Sequence, residues 1–584
     1  MIRKLYSQKG RKEDFYTLGQ EIKIDRNRGF KPYGFEKDSL GMCKNRVILA
    51  VSLFCLAFVI ISIRVFSLCV LSNLGKDTYV TREASGENLQ AVFKSPIKRA
   101  DIVDRNGSII ATSLPTVNLF ANPKKMIDVE NAAMSVHEVF PDLSYESLLK
   151  KFKSKSTFVY LRRNLTPSQQ VQVNNLGIPG LDFENGEKRI YPHEALFAHI
   201  IGKTNIDNEG ISGIEKELDE RLTESDIPLQ LTIDAGVQYT IREELLKGVE
   251  KFKANGGVAI LMDVKTSEIV SMVSLPDFDP NKNISPDAKE MFSFATKGVY
   301  EPGSVFKVFN TALGLESGKI KMTDKFDATK PLKLGRSTII KDYRGENRWL
   351  SVQEVLVYSS NIGSVQMVLK VGKTEQKNFL QKLGFFEAID VDVAEKAVPM
   401  VPKRWQEDTM ATVAYGYGIS VTPLHIITAF SSIVNGGVYN YPSVVKKDHK
   451  EEGYRVVSKA TSKNMRQLLR NVVIDGSGKR ANIVGYEVAG KTGTANKLTN
   501  GKYVDKKVMT TFVSTFPASD PKYALYVMLD EPKPLKETWG FVTSGWNTVP
   551  TTRDIIAAIA PQLNIKANYD LDEVRKTRII EASY

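Results

Sequence analysis

Residues 257–274 read GVAILMDVKTSEIVSMVS, two apolar runs parted by a short polar one. Gly257 to Asp263 and Glu268 to Ser274 have the length and β-branched content of strands, and an antiparallel hairpin is the simplest way to join them. Strand character returns near the other end of the chain, from Thr510 to Phe516 and from Tyr523 to Leu529, with Pro517, Asp520 and Pro521 between. The sequence between these two regions is helical in texture. Ser351 and Glu354 make a capping box, Thr422-Pro423 opens an apolar run that stops at Asn435-Gly436-Gly437, and a last amphipathic run extends from about Arg553 to Leu563. The pattern predicts an antiparallel sheet assembled from both ends of one domain and flanked by helices, with a helical block inserted. That domain is expected over residues 229–584, because the texture changes at Asp226-Ile227-Pro228.

Upstream, residues 76–226 alternate short apolar runs with turn signals such as Arg105-Asn106-Gly107 and Asp207-Asn208-Glu209-Gly210, which predicts an irregular α+β module. Val47 to Ile63 is a run of 17 residues without a charge, and apolar character resumes after Arg64 as far as Leu71. A spanning helix needs about 20 residues, and Arg64 can lay its stem along the helix and reach the headgroups. Residues 47–71 are therefore expected to form a transmembrane anchor. A cleaved signal peptide is the alternative, but the 46-residue head is too long and no small-x-small cleavage site follows. That head, residues 1–46, carries 12 Lys or Arg against 6 Asp or Glu, about half of the net charge of +13. Basic residues beside an apolar run set orientation, so the head is expected in the cytoplasm and everything beyond about Leu74 outside the membrane. A nucleic-acid binder would instead concentrate its charge on a folded face, and no nucleic-acid partner is expected. The three cysteines, Cys43, Cys55 and Cys69, all lie in or beside the apolar run, which leaves no thiol for a disulfide framework or Cys-based metal site in the rest.

Three short elements carry chemistry. The first is Glu301-Pro302-Gly303-Ser304-Val305-Phe306-Lys307, which leads into the helical pattern VFNTALGLESG. A spacing of three residues, roughly 300° of rotation and roughly 4.5 Å of rise, places the Ser304 hydroxyl and the Lys307 amine on one face. A neutral lysine there can take the hydroxyl proton, and the helix N-terminus favours negative charge developing nearby. The same spacing occurs at Ser95 to Lys98 and Ser147 to Lys150, neither with a glycine-opened helix start. The second element is Ser359-Ser360-Asn361, expected in a loop joining two helices, where a hydroxyl and an amide can face the nucleophile. Ser462-Lys463-Asn464 shares the Ser-x-Asn form but reads as a helix cap followed by exposed positions. The third is Gly490-Lys491-Thr492-Gly493-Thr494, following Tyr486 to Ala489 in what reads as a strand. An extended peptide can add to such a strand if it borders a cleft, with Lys491 attracting its carboxylate.

Gly485 to Thr492 also matches the phosphate-loop pattern G-x-x-x-x-G-K-[ST]. That loop requires a strand before its first glycine and a helix directly after its threonine. Here a strand is expected between the glycines, and Leu498-Thr499-Asn500-Gly501 reads as a turn, so the nucleotide-binding alternative lacks its context.

The three elements, in this order, resemble the class B penicillin-binding proteins. The resemblance extends to Arg99 through Gly107, to Arg189-Ile190-Tyr191-Pro192, to Ala198-His199 and to Gly210 through Glu215, which look like the motifs of that family's pedestal domain. Gly416 through Pro423 is similar to a stretch of the division-specific, septal members. Val308 stands where many members have proline and Ala100 where glycine is usual; neither touches the reacting groups. The resemblance implies a pedestal, dimerisation-type domain over 76–226 and a transpeptidase domain of penicillin-binding and serine β-lactamase type over 229–584. It implies a D-Ala-D-Ala transpeptidase on the outer face of a bacterial inner membrane, working in septal cell-wall synthesis and inhibited by β-lactams. Its partners would be stem peptides as donor and amine acceptor, the membrane, and divisome proteins including a glycosyltransferase, with no metal or organic cofactor. Ser304 would attack the substrate carbonyl with Lys307 as base, and Lys491 would lower the Lys307 pKa. Ser359 would relay a proton to the leaving amine and Asn361 would hold Lys307 and the peptide amide. Ser304 and Thr494 would offer their backbone N–H groups as oxyanion hole, with Thr492, Gly493 and Thr494 lining the substrate strand and the two threonine side chains on its carboxylate. His199 would be structural. An elongation-type enzyme, a serine β-lactamase and an inactive divisome scaffold remain as alternatives.

Overall fold

The computed structural model describes residues 51–62, 99–285, 287–335, 338–447, 451–499 and 502–569. The chain forms two units, Met1–Val92 and Phe93–Tyr584. In the first, residues 51–62 are helical; among the described residues no helix is long and apolar enough to cross a membrane. The head expected over 1–46 lies outside the described residues, as does most of the anchor expected over 47–71.

The second unit opens with a sheet of β1 (Ile102–Val103), β2 (Ile109–Ala121), β3 (Val159–Leu165), β4 (Leu181–Ile190) and β5 (Leu229–Gln230). Asp104 shapes the β1–β2 turn by accepting from the Asn106 and Ser108 amides, both at 2.8 Å, while Gly107 takes φ +89°. Helices α1 (Val129–Val139) and α2 (Tyr145–Phe152), capped by Asp128 and Ser144, bury Val136, Leu148 and Phe152 against Leu119 and Leu161. Parallel pairing of β1 with β5 ties this sheet to the start of the next region.

After α3 (Ala235–Lys251) comes the main sheet, whose order is β8-β9-β10-β6-β7 with every pairing antiparallel. Its strands are β6 (Gly256–Asp263), β7 (Ile269–Leu275), β8 (Ala489–Thr499), β9 (Lys502–Phe516) and β10 (Tyr523–Asp530). The sequence expectation of a sheet built from both ends of a domain therefore holds. Alternation along β6 explains the unbroken apolar run: Val258, Ile260 and Met262 enter one core, while Ala259 and Leu261 enter another on the opposite face. Between β7 and β8 lie α4 (Lys307–Glu316), α5 (Val352–Val357), α6 (Asn361–Val371), α7 (Pro423–Val434) and α8 (Lys459–Asp475). These pack on the Val258 side, and α3 with α9 (Thr548–Ile559) covers the other.

Three local expectations need correction. Tyr486 to Val488 is not strand: Gly485 and Glu487 take φ +86° and +46°, and β8 begins at Ala489, opposite Thr515. The final helix starts at Thr548 rather than Arg553, because the Asn547 side chain accepts from the Thr548 amide. Ser462 is no cap; Ser458 caps α8, and Ser462 is buried one turn along, accepting from the Gly436 amide at 3.0 Å.

Candidate active site

Gly303 to Phe306 forms a single 3-10 turn that runs directly into α4, which puts Ser304 at the mouth of the helix with Lys307 one turn along. Gly303 has φ +55° and donates its amide to the Gly416 carbonyl at 3.0 Å. Space is the reason for glycine opposite. A Cβ at Gly493 on β8 would lie 2.9 Å from the Pro302 carbonyl oxygen and 2.3 Å from Thr511 Oγ1, so only glycine lets the nucleophile turn rest on this edge strand.

The side chains converge. Lys307 Nζ lies 2.8 Å from Ser304 Oγ and 3.1 Å from Ser359 Oγ, and donates to the Ser359 carbonyl at 2.7 Å. Lys491 Nζ reaches the same Ser359 hydroxyl at 3.0 Å and donates to the Thr492 carbonyl at 3.0 Å. Ser359 thus bridges two amines from a backbone held at φ +59°, a conformation that a non-glycine residue keeps only when its surroundings impose it. Both lysines are 0% exposed, and among the described residues neither has a carboxylate in ion-pair contact. Burial, followed by the neighbouring Lys491 cation, pushes the Lys307 amine well below the usual lysine value, with the Asp342 carboxylate opposing. Burial pushes Lys491 down to about 7.

Asn361 stands apart from this cluster. Its side-chain amide donates to the Lys341 carbonyl at 2.8 Å instead of contacting Lys307, because Asn361 is the first residue of α6 and the 341–342 segment lies across that helix start. Asp342, which sequence reasoning missed, accepts from Ser360 Oγ at 2.7 Å and from the Asn361 and Ile362 amides at 2.6 and 3.0 Å. An acid at a helix N-terminus is a familiar arrangement, but one contributed from about twenty residues upstream leaves no local signature.

Along β8, Thr492 Oγ1 is 2.6 Å from Ser477 Oγ, and Thr494 Oγ1 accepts from the Ser544 amide at 3.2 Å. Neither serine was foreseen. The Thr494 carbonyl faces Gly303, where an added Cβ would sit 2.9 Å from it. Backbone N–H and C=O of one strand residue point the same way, so the Thr494 N–H is also directed toward the Ser304 turn. A hydroxyl, a buried amine short of its usual basicity, a second amine and an edge strand with an inward N–H are the components of acyl transfer through a serine ester. The phosphate-loop alternative fails on geometry, since Lys491 and Thr492 lie inside a strand with no helix following. His199 is buried, with Nε2 2.8 Å from the Glu290 carbonyl, away from these groups. Of the Ser-x-x-Lys matches compared above, Ser147 and Lys150 are exposed on α2, and Ser95 to Lys98 falls outside the described residues.

The penicillin-binding protein transpeptidase domain model matches residues 257–546, and the penicillin-binding protein dimerisation domain model matches 94–238. The probable peptidoglycan D,D-transpeptidase FtsI of Caulobacter vibrioides is 34% identical over 490 residues, covering 81% of this chain and 82% of that protein. The peptidoglycan D,D-transpeptidase FtsI of Escherichia coli K12 is 29% identical over 506 residues, covering 80% and 84%. Among solved structures, penicillin-binding protein 3 of Mycobacterium tuberculosis in complex with aztreonam superposes with a TM-score of 0.64 at 22% identity, covering 81% of this chain and 98% of that one.

Proposed function

Because this chain belongs to the penicillin-binding transpeptidase family, we propose that Ser304 is the acyl-accepting nucleophile of a peptidoglycan D,D-transpeptidase working in septal wall synthesis. The enzyme is a serine-type D-Ala-D-Ala transpeptidase that acts on peptidoglycan stem peptides and binds β-lactams. The observation that carries the assignment of the nucleophile is the 2.8 Å approach of the fully buried Lys307 amine to Ser304 Oγ.

The reaction follows from that arrangement. Neutral Lys307 takes the Ser304 proton as Oγ bonds to the carbonyl carbon of the terminal D-Ala-D-Ala link. The oxyanion is received by the Ser304 and Thr494 N–H groups, an interaction worth about 2.7–4 kcal/mol per donor in comparable sites. Lys307 hands the Ser304 proton through the Ser359 hydroxyl to the departing D-alanine nitrogen as the C–N bond breaks, which leaves the amine neutral again and Ser359 intact. An acceptor amine then attacks the ester, and its proton returns through Lys307 to Ser304 Oγ. Lys491 and the Thr492 and Thr494 hydroxyls hold the substrate carboxylate, which pairs along β8 as an added strand with Gly493 keeping the approach open.

Labelling the full chain with fluorescent penicillin tests this reading. Ser304→Ala is expected to abolish the long-lived adduct with the thermal transition nearly unchanged; an adduct that persists would mean another residue is the nucleophile, and rapid turnover in the unaltered chain would favour a β-lactamase.

The septal role rests on the likeness of Gly416 through Pro423 to division-specific enzymes. Residues 76–226 serve as pedestal and 229–584 as catalytic domain, carried outside the inner membrane by an anchor at 47–71, with divisome proteins and a glycosyltransferase as partners. The charge asymmetry about Val47 to Ile63 motivates the topology. Protease added to spheroplasts should digest everything beyond Leu74; protection of that portion would reverse the orientation.

A further inference from the structure

Two loops beside the cleft present large aromatic side chains to water. Trp539 is 81% exposed and Tyr343 is 78% exposed. The loop that carries Trp539 is closely bonded. The turn at 535–541 is stapled by its own hydrogen bonds, Trp539 N to the Lys536 carbonyl at 3.0 Å, Gly540 N to Leu535 at 3.1 Å and Phe541 N to Thr538 at 2.8 Å. Thr538 Oγ1 closes it by donating to the Leu535 carbonyl at 3.0 Å. Within this rigid turn Trp539 takes φ +51°, a left-handed conformation that is unfavourable for a bulky residue and that glycine adopts freely. An exposed, strained, rigidly presented indole contributes nothing to the core, and such strain persists where function requires it.

The two loops touch each other, and residues beside them bond to neighbours of the reacting groups. The Arg344 guanidinium sits over the Phe541 ring at 5.0 Å, and Phe541 stacks on Trp546 at 5.5 Å. On one side Asp342 holds the Ser360-Asn361 turn; on the other, Ser544 donates to Thr494 Oγ1. Tyr343 and Trp539 therefore flank a contact that is continuous with the catalytic cleft. Exposed aromatic faces suit the C–H faces of pyranose rings, and the substrate of the reaction above carries its stem peptide on an amino sugar. Resting on that reading, we propose that Trp539 and Tyr343 form a carbohydrate subsite, which receives the sugar from which the reacting stem peptide hangs.

The test measures how strongly a soluble disaccharide-pentapeptide, and the same pentapeptide without sugar, slow acylation of the full chain by fluorescent penicillin. In the unaltered enzyme the sugar-bearing compound is expected to compete better by about threefold to tenfold, the size of one or two aromatic contacts. Trp539→Gly should erase that difference, leave acylation by penicillin alone unchanged, and raise the thermal transition by relieving the backbone. Trp539→Tyr should retain the preference, and Tyr343→Ala should reduce it. Equal competition by the two compounds in the unaltered chain, or a preference that survives Trp539→Gly, overturns the subsite while leaving Ser304 chemistry intact. Absence of any penicillin adduct would strike the proposed function itself. A lower transition in Trp539→Gly, with the sugar preference kept, would assign the indole a structural role.

Discussion

At the scale of single residues, the sign of each charge around Lys307 sets how the enzyme responds to pH. Acylation needs the neutral amine, so it is lost as pH falls through the folded pKa of Lys307. Lys491 disfavours the Lys307 cation and Asp342 favours it. Lys491→Met should therefore raise that pKa and move the acid limb of the acylation profile to higher pH, whereas Asp342→Asn should move it lower. Rates of penicillin acylation, each normalised to its plateau between about pH 5 and pH 9, would show the two shifts; displacement in the same direction would mean that Lys307 is not the titrating base. The serine–lysine spacing was enough to predict that Ser304 and Lys307 share a face, because helix geometry is local. Asp342 was illegible, since it recognises backbone N–H groups across a loop. So was the turn of Asn361 away from Lys307, which depends on where the Lys341 carbonyl happens to lie.

At the scale of elements, the cleft exists because a helix mouth rests on an edge strand, and glycines set the separation. Gly493→Ala would drive a methyl group against the Pro302 carbonyl and the Val305 side chain, both at 2.9 Å, as well as Thr511 Oγ1. The threonine can rotate, but the carbonyl is backbone and must move, carrying the Ser304 turn with it. A misplacement of this order costs about 10²-fold in rate, so penicillin acylation should drop by about that factor while the folded state survives. Unchanged acylation would show that the turn tolerates the displacement. Elements whose signals are local were readable: the Ser351–Glu354 capping box is present, and α7 runs from its Thr422 cap to Asn435 as expected. The start of β8 was not, because Tyr486 to Val488 has strand-like composition but no ladder: Glu487 takes φ +46° and its carbonyl accepts a single backbone bond, from the Ala518 amide at 2.9 Å. Its neighbour β9 ends at Phe516 before Pro517, and strand pairing is a non-local fact.

For the whole folded unit, the question is whether its two sheets stand or fall together. Just past β5 the Asp234 amide donates to the Val270 carbonyl of β7 at 2.9 Å, Asn281 clasps both the amide and the carbonyl of Tyr191 at 3.0 and 2.9 Å, and one apolar core contains Ile102 and Ile110 alongside Val258 and Phe306. At the join, Glu215 is fully buried between two arginines: Arg99 at 2.6 Å and Arg189 at 2.7 Å. Next to it the Gly213 amide donates to Glu395, on the side of the main sheet, at 3.0 Å. Removing one partner of such a cluster leaves buried charge uncompensated, at a cost of about 3–5 kcal/mol, far more than a surface pair contributes. Glu215→Gln should therefore lower thermal stability sharply although it touches no reacting group. If the sheets share one cooperative core, calorimetry will show a single transition displaced downward, with competence for penicillin acylation lost over the same temperature range. A second transition that stays at the original temperature, with acylation retained through the first, would show that the catalytic sheet folds independently of the motifs that Arg99, Arg189 and Glu215 join.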